Sequence, residues 1–136
     1  MNNIEQTLSI IKPDAVERNL DSQIKEMFLS NGFKIVQEKK IQIEKQEAEK
    51  FYKVHETKPF YNDLCTYLSS GPIVAMILEK TNAIIENREI MGATNPKDAK
   101  EGTIRKKYGI SIDKNSVHGS DSVKNAKIEI DFFFKN

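Results

Sequence analysis

His118 is the residue from which chemistry can be read most directly. It sits in the polar stretch Asn115-Ser116-Val117-His118-Gly119-Ser120-Asp121-Ser122. A neutral imidazole is a good nucleophile near pH 7, and a carboxylate partner fixes its tautomer. Glu129 is placed to be that partner. After the turn, Val123, Ala126, Ile130, Phe133 and Phe134 recur at helical spacing and form one apolar stripe. Glu129 lies beside the stripe, where a carboxylate is partly shielded and able to point back at His118. Ser122 is the expected N-cap of this helix. Alone, a histidine in a polar turn is weak evidence of catalysis, and the bland reading is a turn residue without chemistry. The weight comes from what the rest of the chain supplies.

The elements around it follow from periodicity. Residues 7–12, Thr-Leu-Ser-Ile-Ile-Lys, read as a short strand with Leu8 and Ile10 on one face. Pro13 ends it, because proline cannot donate to a ladder, so Lys12 stands at a strand end. The plainer reading of Asp14, which follows Pro13 at the strand end, is a helix cap and nothing more. Asp21-Ser22 signals the next helix, with Ile24, Met27 and Phe28 on its inner face, and Asn31-Gly32 stops it. Residues 33–43 read as a strand. Residues 44–55 read as a helix with Ala48, Phe51 and Tyr52 on one side, and residues 62–69 as a second short helix. The unbroken apolar run Ile73-Val74-Ala75-Met76-Ile77-Leu78 is that of a central strand covered on both faces. Thr81 or Asn82 is expected to cap a helix running to about Ile90.

Periodicity then stops. Residues 92–115 hold Gly92, Pro96, Gly102 and Gly109, with Arg105-Lys106-Lys107 between them. A loop this long in a compact domain is usually functional. A last, very short strand is expected around Val117-His118-Gly119. The order fits a βαββαβ sheet with helices packed on it, in a single domain over residues 1–136.

Composition narrows the functional classes. Lys+Arg 21 and Asp+Glu 20 nearly cancel, and the net charge of +1 gives no electrostatic case for a nucleic-acid or membrane partner. No apolar run is long enough to span a bilayer. Residues 1–5 lack the basic and apolar regions of a signal peptide. One cysteine, Cys65, allows neither an internal disulfide nor a cysteine-rich zinc site. A cytoplasmic location is the expectation. No Gly-x4-Gly-Lys-Ser/Thr sequence occurs, so this is not a P-loop kinase.

Four segments carry a family resemblance: Ile11-Lys12-Pro13-Asp14-Ala15-Val16, Gly92-Ala93-Thr94-Asn95-Pro96, Gly102-Thr103-Ile104-Arg105 and the Asn-x-x-His-Gly-Ser-Asp turn that begins at Asn115. In order and spacing they resemble the signatures of nucleoside diphosphate kinases. The resemblance implies a ferredoxin-like α+β sandwich with a four-stranded antiparallel sheet. It implies transfer of the γ-phosphoryl group of a nucleoside triphosphate, mainly ATP, to a nucleoside diphosphate, through a phosphohistidine on His118. By the same resemblance Glu129 is the carboxylate partner, and Tyr52 and Ser120 flank the nucleophile. Lys12, Arg88 and Arg105 match cations on phosphates or sugar, with Thr94 adding a hydroxyl. Lys12 and Asn115 match contacts to ribose hydroxyls. Phe60 matches the surface on which the base stacks, with Leu64 and Ile112 as apolar walls. Mg²⁺ is expected to arrive with the nucleotide, touching Asp121 through water. A homo-oligomer is implied, a hexamer ahead of a tetramer.

The residues themselves suit that chemistry. Phosphoryl transfer asks a protein mainly to position groups and neutralise charge, and guanidinium offers phosphate a planar fork of donors. Each match also has a plainer reading: Phe60 as a core plug, Tyr52 as core, Lys106 and Lys107 as a solvated run, His55 as surface or structural. The chain departs from the family at Ile77-Leu78-Glu79-Lys80, where a tryptophan and a glycine are common, at Glu101 in place of a proline, and at Lys106-Lys107 in place of Gly-Asp. The last two alter the rigidity and charge of the long loop. Two other classes compete, a catalytically silent domain of this fold and a nucleic-acid-binding module. The complete set of matched residues counts against the first. The charge balance and the lack of an aromatic RNA-binding strand motif count against the second.

Overall fold

Strand β1 (Ile4–Ile11) holds the middle of the molecule. The computed structural model describes residues 3–134. β1 begins three residues before the expected start, because Ile4, Glu5 and Gln6 pair with the far end of strand β3 (Ile73–Thr81). That extension depends on a tertiary partner, which local pattern does not reveal. Pro13 ends the ladder as expected, and it also opens helix α1 (Pro13–Glu17), where its fixed φ suits the first helical position. Helix α2 (Asp21–Ser30) follows. Its N-cap is Leu20, without a side-chain cap bond, so Asp21 belongs to the first turn rather than preceding it. Gly32, at φ +87°, closes α2 as expected.

Strand β2 (Lys34–Ile41) is shorter than expected and carries an irregularity between Ile35 and Gln37. Glu44 and Glu47 form a capping box at the start of helix α3 (Lys45–Phe51), and a 3-10 turn over Lys53–His55 replaces its expected last turn. Helix α4 (Tyr61–Leu68), β3 and helix α5 (Ala83–Met91) complete the middle of the chain. Asn82 precedes α5 in a left-handed conformation and makes no side-chain cap bond; its Oδ1 accepts instead from Asn3 Nδ2 at 3.1 Å.

The long loop is more ordered than its glycines imply. Asn95 Oδ1 caps a 3-10 turn over Pro96–Asp98, and Thr103 Oγ1 accepts from the Lys106 amide at the start of helix α6 (Ile104–Tyr108). Strand β4 (Val117–Gly119) leads into helix α7 (Val123–Phe134). Ser122 Oγ accepts from the Asn125 amide at 3.0 Å, as the N-cap reading requires.

The sheet order is β2-β3-β1-β4, antiparallel throughout, which is the ferredoxin-like arrangement expected. Residues 73–78 of β3 are buried between β1 and β2. Alternation along each strand sends side chains to opposite faces. Ile11, Val74, Met76, Leu78 and Val117 meet α1, α2 and α5 through Val16, Phe28 and Met91. Leu8, Ile10, Ile73 and Ala75 meet α3, α4 and α7 through Ala48, Cys65, Leu68 and Phe133. Of the α7 stripe, Ala126 and Phe133 are buried, and Ile130 and Phe134 are half-buried. Val123 is 62% exposed, because the first turn of α7 lies over an open groove beside Ile4 rather than over the core.

Candidate active site

His118 is the middle residue of β4 and pairs with Ile10 of β1. That register turns its side chain to the face shared by Ile10 and α7. Glu129, in the second turn of α7, reaches back to it, and His118 Nε2 lies 2.8 Å from Glu129 Oε1. The two side chains are 21% and 19% exposed, so the contact is shielded without being sealed. Ser120 Oγ donates to the same Oε1 at 2.9 Å and accepts from the Leu8 amide at 3.2 Å. The carboxylate is thereby referenced to β1 as well as to its own helix.

Phe51 is an addition to the expected set. Its ring meets the imidazole nearly edge to face, with centroids 5.3 Å apart at 72°, and it packs in turn on Phe132 and Phe133. The apolar stripe Ala48, Phe51 and Tyr52 was the only trace of this in the sequence. Tyr52 is buried, and its hydroxyl is pushed well above the usual tyrosine range by burial, by Glu129 and by Cys65. It sits beneath the site as much as beside it.

A second group gathers at the other end of β4. Lys12 is buried at the end of β1, and its Nζ donates to Asn115 Oδ1 at 2.9 Å. Asn115 Nδ2 donates to the Thr94 carbonyl at 3.1 Å. Burial, then the Arg105 guanidinium, lower the Lys12 ammonium to about 8, against the opposing pull of Asp14 and Asp113. Arg105 is also buried; its Nη1 donates to the Gly92 carbonyl at 3.0 Å and its Nη2 to the Val117 carbonyl at 2.8 Å. Arg105 therefore ties the start of the long loop to β4. Burial and Arg88 lower it to about 10. Its Nε–H has no hydrogen-bond partner among the described residues.

Arg88, from the last turn of α5, joins Thr94, Arg105 and Gly119 around a cleft of about 790 Å³. Four of the expected residues are thus brought to one surface, which Glu89, Asp98 and Lys100 share: Arg88, Thr94 and Arg105 directly, and Asn115 through its bond to Thr94. The apolar set is gathered less tightly. Phe60 is 46% exposed and Ile112 54% exposed, while Leu64 is half-buried against the α3–α4 core. Phe60 is not the core plug of the plainer reading. His55 lies between Tyr52 and Phe60, with ring centroids 6.2 and 6.0 Å away. Lys106 and Lys107 are exposed, as the solvated reading has it. Asp121 is exposed, and a hydrogen bond from Asn125 Nδ2 at 2.7 Å helps to keep its carboxyl below the ordinary range.

Asp14 departs furthest from its plainer reading as a helix cap. It is not the N-cap of α1 but a buried carboxylate inside its first turn, with Tyr67, Ser116 and Arg18 around it. Those contacts span up to 102 residues of sequence, and no local signal announces them.

An imidazole with a carboxylate on one nitrogen, set on the antiparallel ferredoxin-like sheet near a cleft lined by Arg88, Thr94 and Arg105, is an arrangement that suits phosphoryl transfer. Comparison with known proteins agrees. The family model described as nucleoside diphosphate kinase matches residues 5–136. The nucleoside diphosphate kinase of Campylobacter jejuni (strain 81116) is 56% identical over 132 residues, covering 97% of this chain and 96% of the relative. That of a Nitratiruptor species is 56% identical over 131 residues, with 96% of each covered. Among solved structures, the Aquifex aeolicus nucleoside diphosphate kinase superposes with a TM-score of 0.95 at 39% identity, covering 98% of this chain and 96% of that one. The Encephalitozoon cuniculi enzyme gives 0.93 at 36%, covering 97% and 90%. The chain belongs to the nucleoside diphosphate kinase family.

Proposed function

We propose that His118 carries the phosphoryl group in the exchange between nucleoside triphosphates and diphosphates that defines the family. The observation that supports this most is the 2.8 Å contact between Nε2 and Glu129. A carboxylate accepts, so Nε2 holds the ring proton and Nδ1 keeps its lone pair. In the first half-reaction Nδ1 attacks the γ-phosphorus. A P–N bond forms, the bond from that phosphorus to the bridging oxygen breaks, and the diphosphate leaves with the electron pair. The positive charge that builds on the ring is stabilised by Glu129. The second half-reaction runs the same step backwards from a different diphosphate.

The remaining residues position and neutralise. Arg88, Arg105 and Thr94 address the phosphates, all three lining the same cleft. Lys12 and Asn115 address the ribose hydroxyls. Phe60 offers an exposed face for the base, with Leu64 and Ile112 as its apolar surround. Tyr52 and Ser120 hold the nucleophile and its carboxylate. Mg²⁺ would come with the phosphates, since it keeps several waters and is commonly held through substrate phosphates. Asp121, exposed and ionised, would meet its water shell. When bound, the ion neutralises phosphate charge.

Residues 1–136 are read as one domain. β2 leaves one sheet edge open, and pairing of copies would cover it; a homo-oligomer, a hexamer ahead of a tetramer, belongs to the proposal. No helix among the described residues is long and apolar enough to cross a membrane, and the proposed location is cytoplasmic. Initial-velocity kinetics test the reading. A covalent intermediate gives parallel double-reciprocal lines at varied diphosphate. Intersecting lines would mean direct transfer and would remove His118 from the path.

A further inference from the structure

We propose that Asp14 is a positioning residue for the sugar end of the nucleotide site: its buried carboxylate locks the turn that presents Asn115 and holds Lys12 against it. This rests on the ribose contacts assigned above to Lys12 and Asn115.

The geometry begins at Ser116. It is fully buried, follows Asn115 directly, and stands at φ +75°, a conformation that a residue with a side chain adopts only under constraint. Its carbonyl accepts from the Lys12 amide at 2.8 Å, and its Oγ donates to Asp14 Oδ2 at 3.0 Å. The strained turn is thus pinned at both ends to the segment carrying Lys12 and Asp14. The rest of the carboxylate is also engaged. Tyr67, from α4, donates its hydroxyl to Asp14 Oδ1 and accepts from the Asp14 amide at 2.9 Å. That amide is one of the free donors at the start of α1. Arg18 Nη2 reaches Asp14 Oδ2 at 3.1 Å and the Tyr108 carbonyl at 2.6 Å. One carboxylate therefore joins α1, α4 and the entry to β4, and through Arg18 it is linked to the end of α6. Lys12 Nζ and Asn115 Oδ1, 2.9 Å apart, sit at the centre of this frame.

Charge gives Asp14 a second influence. The charged groups that face Lys12 are Arg105 from α6, which opposes its proton, and Asp14 from α1 and Asp113 from the long loop, which favour it. Around Asp14 itself stand Arg18, Tyr67 and Lys12. Neutralising Asp14 removes one of the two groups that keep a desolvated ammonium protonated, so Lys12 loses its proton at lower pH.

The test uses the intact protein and compares two diphosphate acceptors, one with a ribose 3′-hydroxyl and one 3′-deoxy. Asp14→Asn keeps the shape and removes the charge. Its kcat/KM is expected to fall about 10- to 100-fold with the 3′-hydroxyl acceptor and less than about threefold with the 3′-deoxy one, so discrimination between them collapses. The alkaline limb of kcat/KM for the acceptor, which reports the phosphoenzyme that meets it, is expected near pH 8 in the parent and lower in Asp14→Asn. Ser116→Ala removes one bond to Asp14 and Tyr67→Phe removes two, and both leave the charge; they should reduce discrimination a few-fold with the limb unmoved. Equal losses with both acceptors, or an unchanged ratio and limb, would overturn the proposal. If Asp14→Asn does not fold, unchanged discrimination in both Ser116→Ala and Tyr67→Phe overturns it. Failure of the underlying ribose assignment looks different: the parent protein would then use both acceptors equally well, and Lys12→Ala would leave that ratio untouched.

Discussion

Glu129→Gln isolates one charge in the proposed mechanism. The substitution keeps the side-chain length and an oxygen that can still accept from His118 Nε2, now 2.8 Å from Glu129 Oε1. It also retains an acceptor for Ser120 Oγ, at 2.9 Å. What it removes is the negative charge facing a ring that becomes positive when Nδ1 bonds phosphorus. A hydrogen bond to a charged group is worth about 1.5–3 kcal/mol net and a neutral one about 0.5–1.5, so the difference is ~1–2 kcal/mol. The pair is about one-fifth exposed, so full low-dielectric Coulomb figures do not apply. A loss of ~1–2 kcal/mol in the transition state slows phosphoenzyme formation about 5- to 30-fold. Rapid mixing of enzyme with excess triphosphate, read by quench and phosphate counting, gives that rate without the second half-reaction. The melting temperature should barely change, since neither group is deeply buried. An unchanged rate would make Glu129 a bystander. A loss of more than about 10⁴-fold in a folded variant would show that the carboxylate moves a proton, which the geometry above does not provide for.

The base site should be permissive. Phe60, Leu64 and Ile112 offer no polar group to reject a wrong base, so single-turnover efficiencies with ATP, GTP, CTP and UTP should fall within about 30-fold, or ~2 kcal/mol, purines leading; a thousandfold preference would reveal a polar reader elsewhere. Lys12 should give activity and stability opposite pH dependences. Its ammonium, lowered from 10.5 to about 8, is needed charged for binding, so kcat/KM falls as pH rises through 8. The unfolded chain binds the extra proton between pH 8 and 10.5, so the Lys12 contribution to stability rises over that window, and below pH 8 the buried charge costs roughly 3 kcal/mol. Lys12→Met should therefore be inactive yet melt higher at pH 7; a lower melting temperature would mean that the bond to Asn115 outweighs desolvation.

Much of the site was legible because it is written in short-range pattern. The α7 stripe placed Glu129 at its edge, Ser122 announced the turn before it, and Pro13 put Lys12 at a strand end. The unbroken run from Ile73 to Leu78 marked the central strand. What escaped depends on distant partners. Ile4 to Gln6 are strand because β3 lies beside them. Asp14 looked like a cap because its position after Pro13 is local, whereas Tyr67 and Ser116, 53 and 102 residues away, decide its role. Phe51 reads as one more apolar residue on a helix; its meeting with His118 needs the fold. Helix α6 was hidden by flanking glycines, although Thr103, its cap, stood in plain view.

The phosphoryl group itself gives the most direct measurement. The protein is incubated with a nucleoside triphosphate and Mg²⁺, kept from acid, and examined intact and as peptides by mass spectrometry. The account predicts one added phosphoryl group, acid-labile, located on His118, and lost on addition of a nucleoside diphosphate. Phosphate on Ser120, Ser122 or His55 in its place, or rapid exchange between nucleotides with no phosphoryl group on the protein, would contradict it.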